Sequence, residues 1–459
     1  MSSLIRSWCG GASLLILATA LSAADTNTSQ VTFTKDVAPI LYKRCVQCHH
    51  PNTTAPMSLI TYKEARPWAR SIREKVIARA MPPWNADPQF GKFQNDPHLT
   101  DEEIAIVSKW AQNGAPEGDP KLLPVVPPAA KGWHIGNPDV VLEMEEPFEV
   151  PATEVLDMQY FILDPKFTED HWVQAAEIME GNTRVVHHAS VFIYDPDDLK
   201  PRPRDQQMPG VVDMPKWQFK PPAPYKPTAI EARMGLAEVR THEPFSAIGH
   251  GEPSRGWPEG TAKLVKAGSK IVLQVHYTPN GKAETDRSKV GLVFCKKPPQ
   301  NEMYTLSVVN MNFTVPARDA NYEVRSEAHF QQDVHLYSFQ PHMHLRGKDM
   351  TYTLVYPDGR EEILLKVPRF DYAMQFWYEL EKPIAVPKGS VIKVLAHFDN
   401  SANNKANPNP DIPVKRGLQT TDEMMNGHVN LTVDSWSTTK NGRNQPGPPL
   451  VASSEARQQ

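Results

Sequence analysis

From Pro138 to about Lys440 the chain is written in short apolar runs broken by Pro, Gly, Asn and Asp. DVVLEMEEPFEV, TRVVHHASVFIYD, AGSKIVLQVHYTPNG, DMTYTLVYPDGREEILLKV and GSVIKVLAHFDNS carry the alternation of half-buried strands, and no sustained helical period interrupts them. YPDG, Tyr356 to Gly359, is a hairpin turn in its own right, because Pro fixes the first corner and Gly tolerates positive φ. About 300 residues of this texture imply antiparallel β-sandwich architecture, and the length asks for two sandwiches.

The preceding region reads differently. From Val31 to about Pro116 the pattern is helical: Thr34 caps a segment with Val37, Ile40 and Leu41 on one face, and residues 61–80 are rich in helix formers. In LTDEEIAIVSKWAQNG, Thr100 and Glu103 form a capping box and Gly114 stands where a left-handed C-terminal cap is wanted. The Pro- and Gly-rich stretch that follows is a linker. The expected organisation is therefore multidomain: a small all-α domain over 25–116, a linker over 117–137, two all-β antiparallel, jelly-roll-like sandwiches over 138–299 and 300–440, and a disordered tail over 441–459. The long Pro-rich stretch 195–243 reads equally as a functional lid or as disorder.

The first 24 residues hold one Arg, an apolar stretch through Ala20 and small residues around Ser22 to Ala24, the pattern of a cleaved secretory signal peptide. No later segment reaches transmembrane length, so the mature protein is expected to be soluble and exported, in a periplasm or outside the cell. With 459 residues, a net charge of −4 and no long basic run, nucleic acid and anionic membrane surfaces are poorly motivated as partners. Export permits disulfides, yet only Cys45, Cys48 and Cys295 remain after cleavage.

Two of those thiols belong to RCVQCHH, Arg44 to His50. Cys45 and Cys48, three apart at a helical turn, can each add to a haem vinyl group while His49 supplies an axial nitrogen. A disulfide or a zinc knuckle is the competing reading, and no second Cys pair completes a zinc site. Met81, before two prolines, is the candidate distal ligand, with Met57 as runner-up. His50 is a surface or propionate-side residue. The segment resembles a monohaem cytochrome c, with haem c as its cofactor.

Three histidine groups stand out among the strands: His187 and His188 in VVHHASVFIY, His276 in IVLQVHYTPNG, and His342 and His344 in FQPHMHLRGKDM. Positions two apart on a strand share a face, so His342 and His344 can meet one metal while Met343 points away. Adjacent His187 and His188 point to opposite faces and can share a metal only if the strand bulges there. A lone strand His such as His276 is more often a hydrogen-bonded structural residue.

HH, then LQVHY, then HxHLxGK, then TTDEMMNG, in this order, resembles the copper type II, ascorbate-dependent monooxygenases, the family of the peptidylglycine and dopamine β-monooxygenases. The resemblance spans about 300 residues, Pro138 to Trp436. It implies one copper held by His187, His188 and His276, which passes electrons, and a second held by His342, His344 and Met424, where oxygen binds; Met425 is the alternative thioether. A soft thioether favours Cu(I), consistent with that division. His171, His242, His250, His335, His397 and His428 are expected to be structural or supporting. The peptide-processing members grip a carboxylate with an Arg two residues before HxH and a Tyr four after the Met. Those positions hold Gln340 and His428 here, with Asn426 kept, so peptide amidation is not implied.

The expected activity is hydroxylation of a C–H bond in a small organic substrate by O2, with electrons fed through the fused haem. Ascorbate, an electron-donor protein or a quinol-linked chain are candidate donors. The alternative is a non-catalytic haem and copper electron carrier or copper-binding protein.

Overall fold

The computed structural model describes residues 30–51, 55–126, 132–154, 156, 158–194, 243–248, 256–417, 419–434 and 451–453. The expected leader, the 195–242 stretch with His242, and His250 fall outside the described residues. So does most of the 441–459 tail, of which Val451–Ser453 pairs as an edge strand.

Among the described residues the α-helices lie in the N-terminal region: Ala38–Arg44, Tyr62–Ala65, Ala69–Ile77 and Asp101–Gln112. Two begin on capping boxes, Thr61 with Glu64 and Thr100 with Glu103, each satisfying orphan N–H groups at a helix start. Asp101–Gln112 ends at Gly114 in the left-handed region (φ +83°). The helices bury Phe33, Leu41, Ile72, Val107 and Trp110 against one another.

The remainder is strand. The described chain is richer in strand than in helix, 37% against 13%, and its strands form four large sheets. In order across each sheet, the first is Val140–Glu143, Lys289–Phe294, His171–Met179, Thr261–Val265 and Asn301–Glu302; the second is Gln159–Leu163, Lys270–Tyr277, Val186–Tyr194 and Glu243–Ile248. The third is Tyr304–Val309, Asn426–Val433, Val334–His342 and Tyr378–Val386; the fourth is Glu361–Val367, Gly347–Val355, Val391–Phe398, Tyr322–His329 and Val451–Ser453. One apolar cluster, with Val191, Leu273 and Val290, collects the first two sheets. Another, with Leu306, Phe339, Tyr352 and Phe398, collects the last two.

The expected order of an all-α cytochrome c-like domain followed by two all-β antiparallel sandwiches is thereby corrected. One reason lies in the segment after the third helix, which leaves the helical cluster and completes the C-terminal β core. Trp84, Ala86 and Phe93 are buried there, with Trp84 against Tyr378 at 4.6 Å between ring centroids. Backbone bonds from Asp87 to Lys366 (2.8 Å), Gln94 to Glu379 (2.8 Å) and Glu381 to Lys92 (2.9 Å) bind it to that half. A second reason is that pairing is not wholly antiparallel. Asn301–Glu302, just past the expected boundary, runs parallel to Thr261–Val265 and joins the N-terminal sheet.

Two bulges position the functional side chains. In Val186–Tyr194 the register against Lys270–Tyr277 shifts between Val186 and His188, so His187 is the extra residue. In Val334–His342 the shift falls between Leu336 and Ser338. Leu336 and Phe339, three apart, both reach the core, which an unbroken period of two forbids.

Candidate metal centres

The bulge at His187 removes the obstacle to two adjacent histidines sharing a ligand. Their Nδ1 atoms are 3.0 Å apart, and His276 stands opposite His188 in register on the neighbouring strand. Ring centroids lie 5.3 Å apart for His187 and His188, 5.4 Å for His187 and His276, and 5.1 Å for His188 and His276. One ligand atom from each of the three falls within 4.8 Å of the others. His276 Nδ1 is buried without a hydrogen-bond partner, a lone pair shut away from water. Burial and then the neighbouring rings, His276 first, hold His188 well below the usual histidine range, so it is a neutral imidazole. Three converging imidazoles, one with an orphaned nitrogen, fit a copper or zinc ion.

The second group gathers from two distant segments. His342 ends its strand and His344 begins the following turn, with ring centroids 5.3 Å apart. His342 Nδ1 donates to Gln375 Oε1 (2.5 Å) and His344 Nδ1 donates to the Asp422 carbonyl (3.1 Å), so Nε2 is the atom each ring would offer a metal. Burial, then His342 and Arg416, lower His344 to about 3. Met424 is half-buried and its Sδ accepts from Asn426 Nδ2 at 3.5 Å. Met425 is fully buried in the β core, as is Met343. Two imidazoles and a soft thioether suit Cu(I) better than zinc.

A buried ion pair braces this second group. The Glu423 carboxylate accepts from the His344 N–H (3.0 Å) and the Arg346 N–H (2.7 Å), and lies 3.9 Å from the Arg346 guanidinium. Arg346 also donates to Asn400 Oδ1 (2.9 Å) and the Thr421 carbonyl (3.0 Å). Burial raises Glu423, while the Arg346 and His344 N–H groups and the Arg346 charge pull it back toward the ionised form.

The two groups face one another. Tyr372 lies 6.1 Å from His187, 5.9 Å from His188 and 6.1 Å from His344, centroid to centroid. Its carbonyl accepts from Gln375 Nε2 (2.9 Å), the same amide that holds His342. Tyr372, Gln375, Arg346 and Glu423 were not singled out from sequence as site residues. Arg346 and Glu423 stand inside the HLRGK and DEMM stretches, but Tyr372 and Gln375 occupy a loop with no periodic signal.

At the N-terminus, Cys48 N–H and His49 N–H donate to the Cys45 carbonyl at 3.1 and 2.9 Å, which continues the Ala38–Arg44 helix into a tight turn. No disulfide joins Cys45, Cys48 or Cys295. His49 Nδ1 donates to the Met57 carbonyl (3.2 Å), so Nε2 is the atom this ring would offer a metal. Burial lowers His49 and pushes the Cys45 thiol up to about 12. The two thiols and the oriented imidazole fit covalent haem attachment. Met81 is 37% exposed, at the start of the segment that crosses to the C-terminal half. Among the other histidines, His171 stacks on Phe294 (4.6 Å), His335 pairs with Asp434 (2.7 Å), His397 with Asp349 (2.7 Å), and His428 bonds Ser307 (2.8 Å).

No family model matches the chain, and no curated protein does. Solved structures with some likeness include an infectious bursal disease virus VP2 subviral particle, 7% identical over 69% of this chain and 78% of that one, at a TM-score of 0.18. The Gx strain of the same virus is 6% identical over 69% and 79%, at a TM-score of 0.19. Neither fold nor function is taken from likeness at that level.

Proposed function

We propose that the protein is an exported, copper-dependent monooxygenase, resembling the ascorbate-dependent copper type II family, that hydroxylates a C–H bond of a small organic substrate. The observation that carries this reading is the meeting of a three-histidine group and a two-histidine, one-methionine group across Tyr372. The overall reaction consumes R–H, O2, two electrons and two protons and yields R–OH and water. Bound copper would supply one-electron storage at each group and oxygen activation at the thioether-containing one. The chain's own residues supply the rest. Gln375 and the Asp422 carbonyl fix the tautomers of His342 and His344, while Glu423 and Arg346 hold the Met424 loop against the His344 turn. Tyr372 stands between the groups, its ring against His188 on one side and His344 on the other.

Single electrons suit delivery by a haem held by Cys45, Cys48 and His49, with Met81 as distal ligand and ascorbate or a donor protein upstream. The segment after Met81 packs on Phe376 and Tyr378, next to the loop carrying Tyr372 and Gln375, which supports such a supply. No helix among the described residues is long and apolar enough to cross a membrane. The deciding experiment is copper and haem quantification followed by a substrate screen read by oxygen uptake and product. About two coppers and one haem per chain, with hydroxylated product, are expected. Metal redox cycling without product points instead to an electron carrier.

A further inference from the structure

The strand leading toward Met424 carries a cation that the site described so far does not use. Arg416 follows Val414 by two positions, and Val414 is buried, so the period of two turns Arg416 inward with it. Backbone pairing with Glu423, together with the Gly417 N–H donated to the Glu423 carbonyl (3.0 Å), fixes Arg416 beside the Glu423–Met424 step. Its Nε is sealed from solvent and meets no hydrogen-bond acceptor. Among the described residues no carboxylate forms an ion pair with it. Glu423 is taken by Arg346 and by two backbone N–H groups, and Asp422 accepts from the Gln419 N–H (3.2 Å). The Arg416 charge nevertheless bears on the ring of His344.

A guanidinium cannot shed its proton near neutral pH, so a half-buried one with its Nε sealed and no counter-charge carries a standing cost that a bound anion removes. We propose that Arg416 is the anion-binding residue of the substrate pocket beside His344, and that the compound hydroxylated there is a small organic carboxylate. The reaction assigned to it rests on the monooxygenase reading; the binding does not. The site is distinct from positions 340 and 428, where Gln340 bonds the Gln375 carbonyl (3.1 Å) and His428 bonds Ser307 (2.8 Å). A guanidinium offers a carboxylate two parallel donors, and recognition is correspondingly selective against neutral isosteres.

Calorimetric titration of the metal-free full chain with acetate and benzoate, against acetamide and benzamide, reads binding without turnover. At least one carboxylate is expected to bind about tenfold or more tighter than its amide, equivalent to about 1.4 kcal/mol. Arg416→Gln loses the preference, and Arg416→Lys, which keeps the charge, retains part of it. Equal binding of acid and amide, or an unchanged preference in Arg416→Gln with native near-ultraviolet dichroism, overturns the proposal. Thermal unfolding gives an independent readout. Arg416→Met removes an uncompensated charge and raises the midpoint of the metal-free protein, whereas a lowered midpoint means the guanidinium is already satisfied internally and also overturns it. Neither measurement involves copper or oxygen, so failure here and failure of the monooxygenase reading are told apart.

Discussion

The two candidate metal-ligand groups are built in opposite ways. His187, His188 and His276 sit on adjacent strands of one sheet, and a single bulge brings all three together. His342, His344 and Met424 come from a strand end, a turn and a loop some eighty residues later, and the buried Arg346–Glu423 pair joins the pieces. Ladder hydrogen bonds secure the first group whether or not a ligand is present. The second depends on a charge pair whose removal leaves a guanidinium and two N–H groups unmet.

Breaking that brace gives the largest expected effect. Glu423→Ala strands Arg346, whose side chain is 1% exposed, and should cost about 3–5 kcal/mol of unfolding free energy in denaturant titration. Copper binding should fall from about two ions to about one, with the three-histidine group still loaded. Loss of both ions in a folded variant would show that the two groups do not stand independently.

The neighbouring methionines sharpen the contrast within the second group. Met425→Ala opens a cavity in the β core and should cost about 2–5 kcal/mol with copper content unchanged. Met424→Leu should cost less than about 1.5 kcal/mol yet weaken Cu(I) binding at its group. The reverse pattern, read by calorimetry and by titration with a Cu(I) chelator, would reassign the thioether. His276→Ala is milder for the fold. Its Nδ1 already lacks a partner, so the metal-free protein should shift by about 1 kcal/mol or less while one copper is lost.

These differences also explain what could be seen in the sequence. Strand texture and the histidine spacings are local, so the period of two exposed both, and the doubled histidine flagged the place where a bulge had to be. Met424 and Met425 could not be told apart by spacing, because burial in the core decides between them. Tyr372 and Gln375 act through contacts with residues from two other parts of the chain and leave no periodic mark. The crossing of Trp84 and Phe93 into the C-terminal core was hidden for the same reason: MPPWNADPQFGKF has neither a helix nor a strand period, and its partners, Phe376 and Tyr378, lie almost 300 residues away. The expected closed all-α domain failed at that point.

The smallest predicted effect concerns the first sheet, which carries none of the candidate ligands. Glu180 follows the strand His171–Met179, and burial, reinforced by Asp286 and then Glu177, holds its carboxyl above the usual range. The folded state thus favours the protonated form. For a group raised in this way the stabilising contribution is complete below the unfolded value and is lost as pH climbs through the folded one. Glu180→Gln keeps the uncharged shape at every pH. It should therefore raise the thermal midpoint near about pH 7 and leave it unchanged near about pH 4, where the wild-type carboxyl is already protonated. Copper content should not respond, because Glu180 belongs to neither ligand group. A midpoint gain of equal size at both pH values would place its origin in packing rather than in the proton.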